Sequence, residues 1–254
     1  MSRFRASFIH LMISLVLVSG VFAVVFFAWY PSPSFEVVGA SSIIGLLIAV
    51  DLVIGPMLTL IVYKHGKPGL KFDLAVIALI QIAALAYGGY RLYEERPQYV
   101  VFVVDRVEFV SNKGIDTSEI RFAELNEKTT TKLTMVFARR PDDAEGFQRY
   151  LDSVLVDGKP DLERRPEYWE PWSAGAGEIR EQARSIEDFE GADPLEKKEL
   201  DAAIEKYSSE HPDLGILPIG SVDANIALLI DRETLDILGL IRVDPWRETQ
   251  EQAE

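Results

Sequence analysis

No cysteine occurs in the 254 residues, so the chain forms no disulfide and has no thiolate chemistry. Histidine is almost as scarce. The three, His10, His65 and His211, stand far apart and no pair has zinc-ligand spacing, so a metal site is not expected. Neither a phosphate-binding glycine-rich loop nor a GxSxG elbow is present. Carboxylates are plentiful after residue 96, but none of them forms a recognisable catalytic pair. With no nucleophile, metal or cofactor motif, the expectation is a protein that is not an enzyme and needs no cofactor. Positive charge is also short in this second part, where 19 Lys and Arg face 35 Asp and Glu. An acidic module of that kind is a poor match for nucleic acid.

Apolar residues, by contrast, are concentrated at the beginning. FIHLMISLVLVSGVFAVVFFAWY (8–30), VVGASSIIGLLIAVDLVIGPMLTLIVY (37–63) and FDLAVIALIQIAALAYGGYRLY (72–93) each exceed the roughly 20 residues that cross about 30 Å of hydrocarbon. The partner of these windows is therefore the lipid bilayer. VFA at 21–23 resembles a signal-peptide cleavage site, yet the apolar run continues to an interfacial pair, Trp29 and Tyr30, and reads as an uncleaved anchor. The texture changes after Glu95, which divides the chain into a membrane domain (1–95) and an outer domain (96–254).

Basic residues near membrane spans favour the cytoplasm. Arg3 and Arg5 precede the first span, and Lys64, Lys67 and Lys71 crowd the second connection, whereas PSPSFE in the first connection has none. The expected topology has the N-terminus inside and residues 96–254 outside.

Within the outer domain, YVVFVVDRVEFV (99–110) and TKLTMVFARR (131–140) read as strands. EGFQRYLDSVLV (145–156) places Phe147, Tyr150, Leu151 and Val154 at helical spacing. DGKPDLERRPEYWEPWSAG reads as an irregular loop, followed by two charged helices, GEIREQARSIEDFE and PLEKKELDAAIEKYSSEH, the second opened by Pro194. ANIALLIDRETLDILGLIRVD reads as a hairpin, and a short polar tail follows Trp246. The predicted fold class is three N-terminal transmembrane α-helices plus a C-terminal α+β domain with an antiparallel sheet. Trp169 and Trp172 in PEYWEPW either form a partner-binding patch or fill the space between a loop and the sheet.

An ionisable residue at mid-membrane costs at least about 2.5 kcal/mol on the insertion scale, and so faces protein or water. Asp51 in LLIAVDLVIGPMLTLIV is such a residue. Counted at 1.5 Å per residue, Asp51, Gln81 and Ser19 lie at similar depths in the three spans. They form either an internal hydrogen-bonded knot or an incomplete one that receives a polar group from a passing helix. Gly55 and Pro56 bend or open the second helix beside it.

The stretches SRFRASFIHLMISL, WYPSPSFE, VDLVIGPMLTLIVY, KFDLAVIALIQIAALAYGGYRLYEERPQYVVFVVDRVEFV and LLIDRETLDILGLIRVDPW together resemble the type IV pilin accessory proteins of the TfpX/TfpZ family. The resemblance implies a multi-pass protein of the bacterial inner membrane with a periplasmic outer domain. Its implied role is chaperone or assembly factor for a cognate type IV pilin, alongside other pilus assembly proteins. On that footing Asp51, Gly55, Pro56, Asp73 and Gln81 dock the pilin's membrane helix, and the outer domain, with Trp169 and Trp172, meets its head. The competing reading is a membrane-tethered ligand-binding or sensor module, against which stands the absence of any cytoplasmic output domain.

Overall fold

The computed structural model describes residues 2–30, 34–126, 132–189, 193–220 and 225–247, and the polar tail lies outside them. The chain divides into two compact units, residues 1–31 with 39–96 and residues 32–38 with 97–254.

The first unit has three helices long and apolar enough to cross a membrane, α1 (Arg3–Trp29), α2 (Ala40–Val62) and α3 (Leu70–Glu95). Ser2 caps α1 by accepting from the Arg5 N–H. Gly39 and Gly69 precede α2 and α3 with φ of 72° and 82°, a conformation glycine reaches without strain. The apolar side chains of these helices are largely exposed, as lipid-facing residues are. Helix α2 is the most enclosed, with 33% of its most apolar window buried against 17% for α1 and 11% for α3. At one end of the unit Tyr30 donates to the Leu92 carbonyl at 2.9 Å, and Trp29 meets Tyr93 edge to face.

The second unit contains two four-stranded sheets. One has the order β2-β1-β3-β4, built from β1 (Pro97–Val103), β2 (Arg106–Ser111), β3 (Thr134–Ala138) and β4 (Trp169–Pro171). The other has the order β5-β6-β7-β8, built from β5 (Arg184–Ser185), β6 (Leu214–Pro218), β7 (Ala227–Asp231) and β8 (Ile237–Ile241). Helices α4 (Ala144–Leu155), α5 (Ala176–Gln182) and α6 (Pro194–Tyr207) complete the unit. The predicted architecture, apolar helices followed by an α+β domain with an antiparallel sheet, is the one observed. The second sheet is wholly antiparallel, and the first carries one parallel pair, β1 with β3.

Alternation along β1 explains how the sheets are packed. Val100 and Phe102 join Phe137, Leu217, Leu228 and Ile230 in a core shared by both sheets. Tyr99, Val101 and Val103 point to the opposite face, where Tyr150 of α4 covers them. On the far face of the second sheet, Ile216 and Leu229 pack on Leu200 and Ala203 of α6. Strands buried on both faces read as continuous apolar runs, as β1 does. Val37, from the connection between α1 and α2, belongs to the shared core as well. A chain that crosses a membrane three times places its first connection and everything after the third span on one side, as this packing requires.

Three elements differ from the sequence reading. The run 99–110 is a hairpin, because Val104 takes φ 54° and Asp105 N–H returns to the Val103 carbonyl at 2.6 Å. The first charged helix stops at Gln182 and continues into β5 and a 3₁₀ turn, since the second sheet takes Arg184 and Ser185 as an edge. The segment LGILP, unassigned by its pattern, is the fully buried strand β6.

Candidate functional site

The polar residues of the apolar helices converge within the first unit. Asp51 stands midway along α2, eleven residues from either end, or about 16 Å by helical rise. It is 4% exposed, and Gln81 of α3 is 8% exposed. The Gln81 Nε2 donates to Asp51 Oδ1 at 3.0 Å and to the Asp51 backbone carbonyl at 3.3 Å.

The second of these bonds follows from the local sequence. Residues Ala49–Ile54 form a π-helical turn in which the Gly55 N–H bonds to the Val50 carbonyl. The next carbonyl, that of Asp51, would take its π-helical bond from residue 56, which is proline and has no N–H. The Gln81 amide fills that place. Gly55 makes it reachable, because a Cβ there would overlap the Gln81 carboxamide.

Helix α1 completes the cluster. His10 Nε2 lies 2.6 Å from Gln81 Oε1, and His10 Nδ1 lies 2.6 Å from Thr59 Oγ1. An amide oxygen only accepts, so His10 carries its proton on Nε2, and in the neutral ring Nδ1 accepts from the Thr59 hydroxyl. Hydrogen bonds therefore run from Thr59 through His10 and Gln81 to Asp51, linking all three helices. Ser7 adds a bond from its Oγ to the Pro56 carbonyl at 2.8 Å. The chain of bonds ends on one oxygen of Asp51. The other, Oδ2, is buried and has no partner among the described residues. A cleft of about 140 Å³ is lined by His10, Ile13, Ser14 and Leu17 of α1, by Asp51, and by α3 residues that include Gln81 and Ile82.

Four of the five sequence-predicted membrane residues, Asp51, Gly55, Pro56 and Gln81, thus meet. Asp73 does not. It lies in the first turn of α3, about 12 Å along the helix from Gln81, and pairs with Lys67 at 2.7 Å. Ser19, the expected third member of the knot, is exposed, and Ser14 is buried in its place. Helix α1 begins at Arg3, so the residue eleven places in is Ser14. His10, Ser7 and Thr59 were missed by the depth count, although Ser7, His10 and Ser14 repeat at three and four residues and so share one helix face.

Of the tryptophans, Trp169 has no exposed surface, packs against Tyr99 with the rings tilted by 56°, and donates from Nε1 to the Leu162 carbonyl at 3.2 Å. Packing, not a partner patch, is its place in the fold. Trp172 is half-buried and meets Phe102 edge to face. Among the described residues no three His, Asp or Glu side chains gather as a metal-binding group.

The Fimbrial assembly protein FimB family matches residues 1–39, the segment that holds α1 and its polar face. Across 248 residues the chain is 25% identical to the fimbrial assembly protein of serogroup E1 from Dichelobacter nodosus, covering 95% of each chain. The serogroup I protein of the same organism matches with the same identity and coverage. The protein of its serogroups C1 and C2 is 34% identical over 119 residues, which is 46% of this chain and 90% of the relative. The chain belongs to the fimbrial assembly protein family. The alignments to the serogroup E1 and serogroup I proteins run through both units of this chain. No solved structure matches the chain.

Proposed function

We propose that this protein is an accessory factor of type IV pilus assembly that binds a cognate pilin in the inner membrane, as a chaperone, and performs no catalysis. The N-terminus lies in the cytoplasm and the α+β domain in the periplasm, as the basic residues around the spans favour. The pilin's apolar helix docks against the membrane helices at the Asp51 cleft, while the α+β domain faces the pilin head and the remaining pilus assembly proteins. The observation that carries this reading is the buried Asp51 with an unpartnered oxygen at mid-span, in a chain whose relatives are named fimbrial assembly proteins. A buried polar atom in hydrocarbon is costly unless a partner completes it. The likeness to pilin accessory proteins supplies the partner.

The test is photocrosslinking in the native membrane, with a photoreactive residue at Ile82 on the cleft wall and another at Trp246, which is half exposed on the α+β domain. Capture of the pilin at Ile82, reduced several-fold by Asp51→Leu at unchanged protein abundance, is the expected result. An abundant, folded protein that captures no pilin at either position refutes the reading.

A further inference from the structure

The two ends of the three-helix unit treat their charges differently. Where α3 finishes, Arg91 is held by Glu94 at 2.8 Å and by Glu95 at 3.2 Å. Arg96 there lies over the Tyr93 ring at 3.7 Å and donates to the Tyr93 carbonyl at 2.6 Å. At the other end α1 and α3 begin and α2 finishes. The bonds from Ser7 to the Pro56 carbonyl and between His10 and Thr59 keep the start of α1 beside the last turns of α2. Arg3, Arg5, Lys64, Lys67 and Lys71 gather at this end, all exposed, against one carboxylate, Asp73. Lys67 takes that carboxylate at 2.7 Å, and the other four cations make no ion pair among the described residues. The connection that carries the lysines is held by two turns, from the Lys67 N–H to the Lys64 carbonyl at 3.1 Å and from the Leu70 N–H to the Lys67 carbonyl at 3.3 Å. Phe4 and Phe72, 67% and 72% exposed, are the chain neighbours of Arg3, Arg5 and Lys71.

We propose that this basic rim is a binding site for the headgroups of anionic phospholipids. Lys64 follows the last residue of the α2 span, Val62, by two places, and Arg3 and Lys71 stand at the first residues of α1 and α3, so the cations lie where hydrocarbon gives way to phosphate. Lys and Arg side chains at that depth keep their stems along apolar surface and extend their charges to the phosphate layer. Orienting a protein in the membrane requires only that basic residues be present. A headgroup site also requires them to be unpaired and grouped, which separates this end from the one at Arg91. An acidic protein segment would satisfy the cations but leave the Phe4 and Phe72 rings exposed, whereas a phospholipid covers the rings with its acyl chains while its phosphate meets the cations. The inference is independent of pilin docking.

The test uses the full-length protein in phosphatidylcholine vesicles that contain phosphatidylglycerol. The chain has no cysteine of its own, so His65→Cys carries one fluorophore at the rim, and Tyr90→Cys, in a second sample, carries one near the opposite end. Quenching by phosphatidylglycerol with a spin label on its acyl chain, compared with phosphatidylcholine labelled in the same way, gives the local enrichment of the anionic lipid. An enrichment of about fivefold is expected at position 65, the scale of one basic residue at an anionic surface, and none at position 90. Arg5→Gln with Lys71→Gln should abolish it. Arg5→Lys with Lys71→Arg, which keeps the charges, should retain it and guards against a folding defect.

Equal quenching by the two lipids at position 65 overturns the proposal and leaves the cations to an acidic segment of a protein partner. Enrichment that is the same at both positions, or that survives Arg5→Gln with Lys71→Gln, also overturns it, because the rim is then not its cause. Loss of the enrichment in inorganic phosphate, but not in sodium chloride of the same ionic strength, overturns it in favour of a site for free phosphate.

Discussion

The Gln81 side chain, 30 residues beyond Asp51 in the chain, donates to the one carbonyl of the π-helical turn that Pro56 leaves without an N–H. A bond missing from one helix is thereby supplied by another. This ties the break in α2 to the packing of α3, and it explains why glycine, proline, aspartate and glutamine occur together in an apolar setting.

Gly55 and Gln81 should be energetically coupled. A methyl group at Gly55 overlaps the Gln81 carboxamide, so Gly55→Ala is expected to destabilise the helical unit by about 1–3 kcal/mol. In a Gln81→Ala background the same change should cost much less. A double-mutant cycle by denaturation in detergent measures the coupling, and additive effects would contradict the geometry.

The two tryptophans should respond differently to truncation. Trp169 is fully buried and hydrogen-bonded, so Trp169→Ala is expected to destabilise the α+β domain by about 3–5 kcal/mol. Trp172 Nε1 is buried with no partner among the described residues, so Trp172→Phe should be neutral or stabilising by up to about 1 kcal/mol. Thermal unfolding followed by near-ultraviolet circular dichroism distinguishes the two.

Val104 is strained. It is a β-branched residue at φ 54° in the centre of a tight γ-turn, and about half of it is exposed, so little packing offsets the strain. Val104→Gly should stabilise the domain by about 1 kcal/mol, seen as an upward shift in Tm. Leu235, at φ 63°, is buried in the shared core, and Leu235→Gly should destabilise because it loses that packing.

Asp231 sets part of the acid limit of the α+β domain. Burial disfavours its charged form, but the bond from His211 and those from the Thr234 and Glu233 N–H groups outweigh it and hold the carboxyl below its ordinary 3.8. A carboxylate depressed in the folded state stabilises above its unfolded value, and that contribution disappears as pH falls through the folded one. The expectation is a contribution constant from pH 7 to about 5 and lost below about pH 4. Asp231→Asn should lower stability at pH 7 by about 1–3 kcal/mol and flatten this part of the acid transition in a pH series of melting curves.

Much of this was legible in the chain. Three spans follow from run length alone, because crossing hydrocarbon demands an unbroken apolar stretch and helical bonding within it. The helix at Pro194 was readable from that proline at its start, and the structure adds that Asp193 accepts from its first N–H groups. The place of Asp51 at mid-span, and its depth match to Gln81, came from counting residues. What counting does not reach is rotation about the helix axes and the starting residue of α1. Those depend on packing between helices, and they decided that His10 and Ser14, not Ser19, face Asp51. Short strands such as β5 and β6 also waited on the tertiary structure. A two-residue edge or an all-apolar run has no periodicity of its own, and only pairing with β7 makes it a strand. The sequence by itself determined where the chain crosses the membrane and which polar groups had to be sheltered there. Only the tertiary structure decided how those groups bond, and that one oxygen of Asp51 is left over, since hydrogen bonding depends on position to within an ångström.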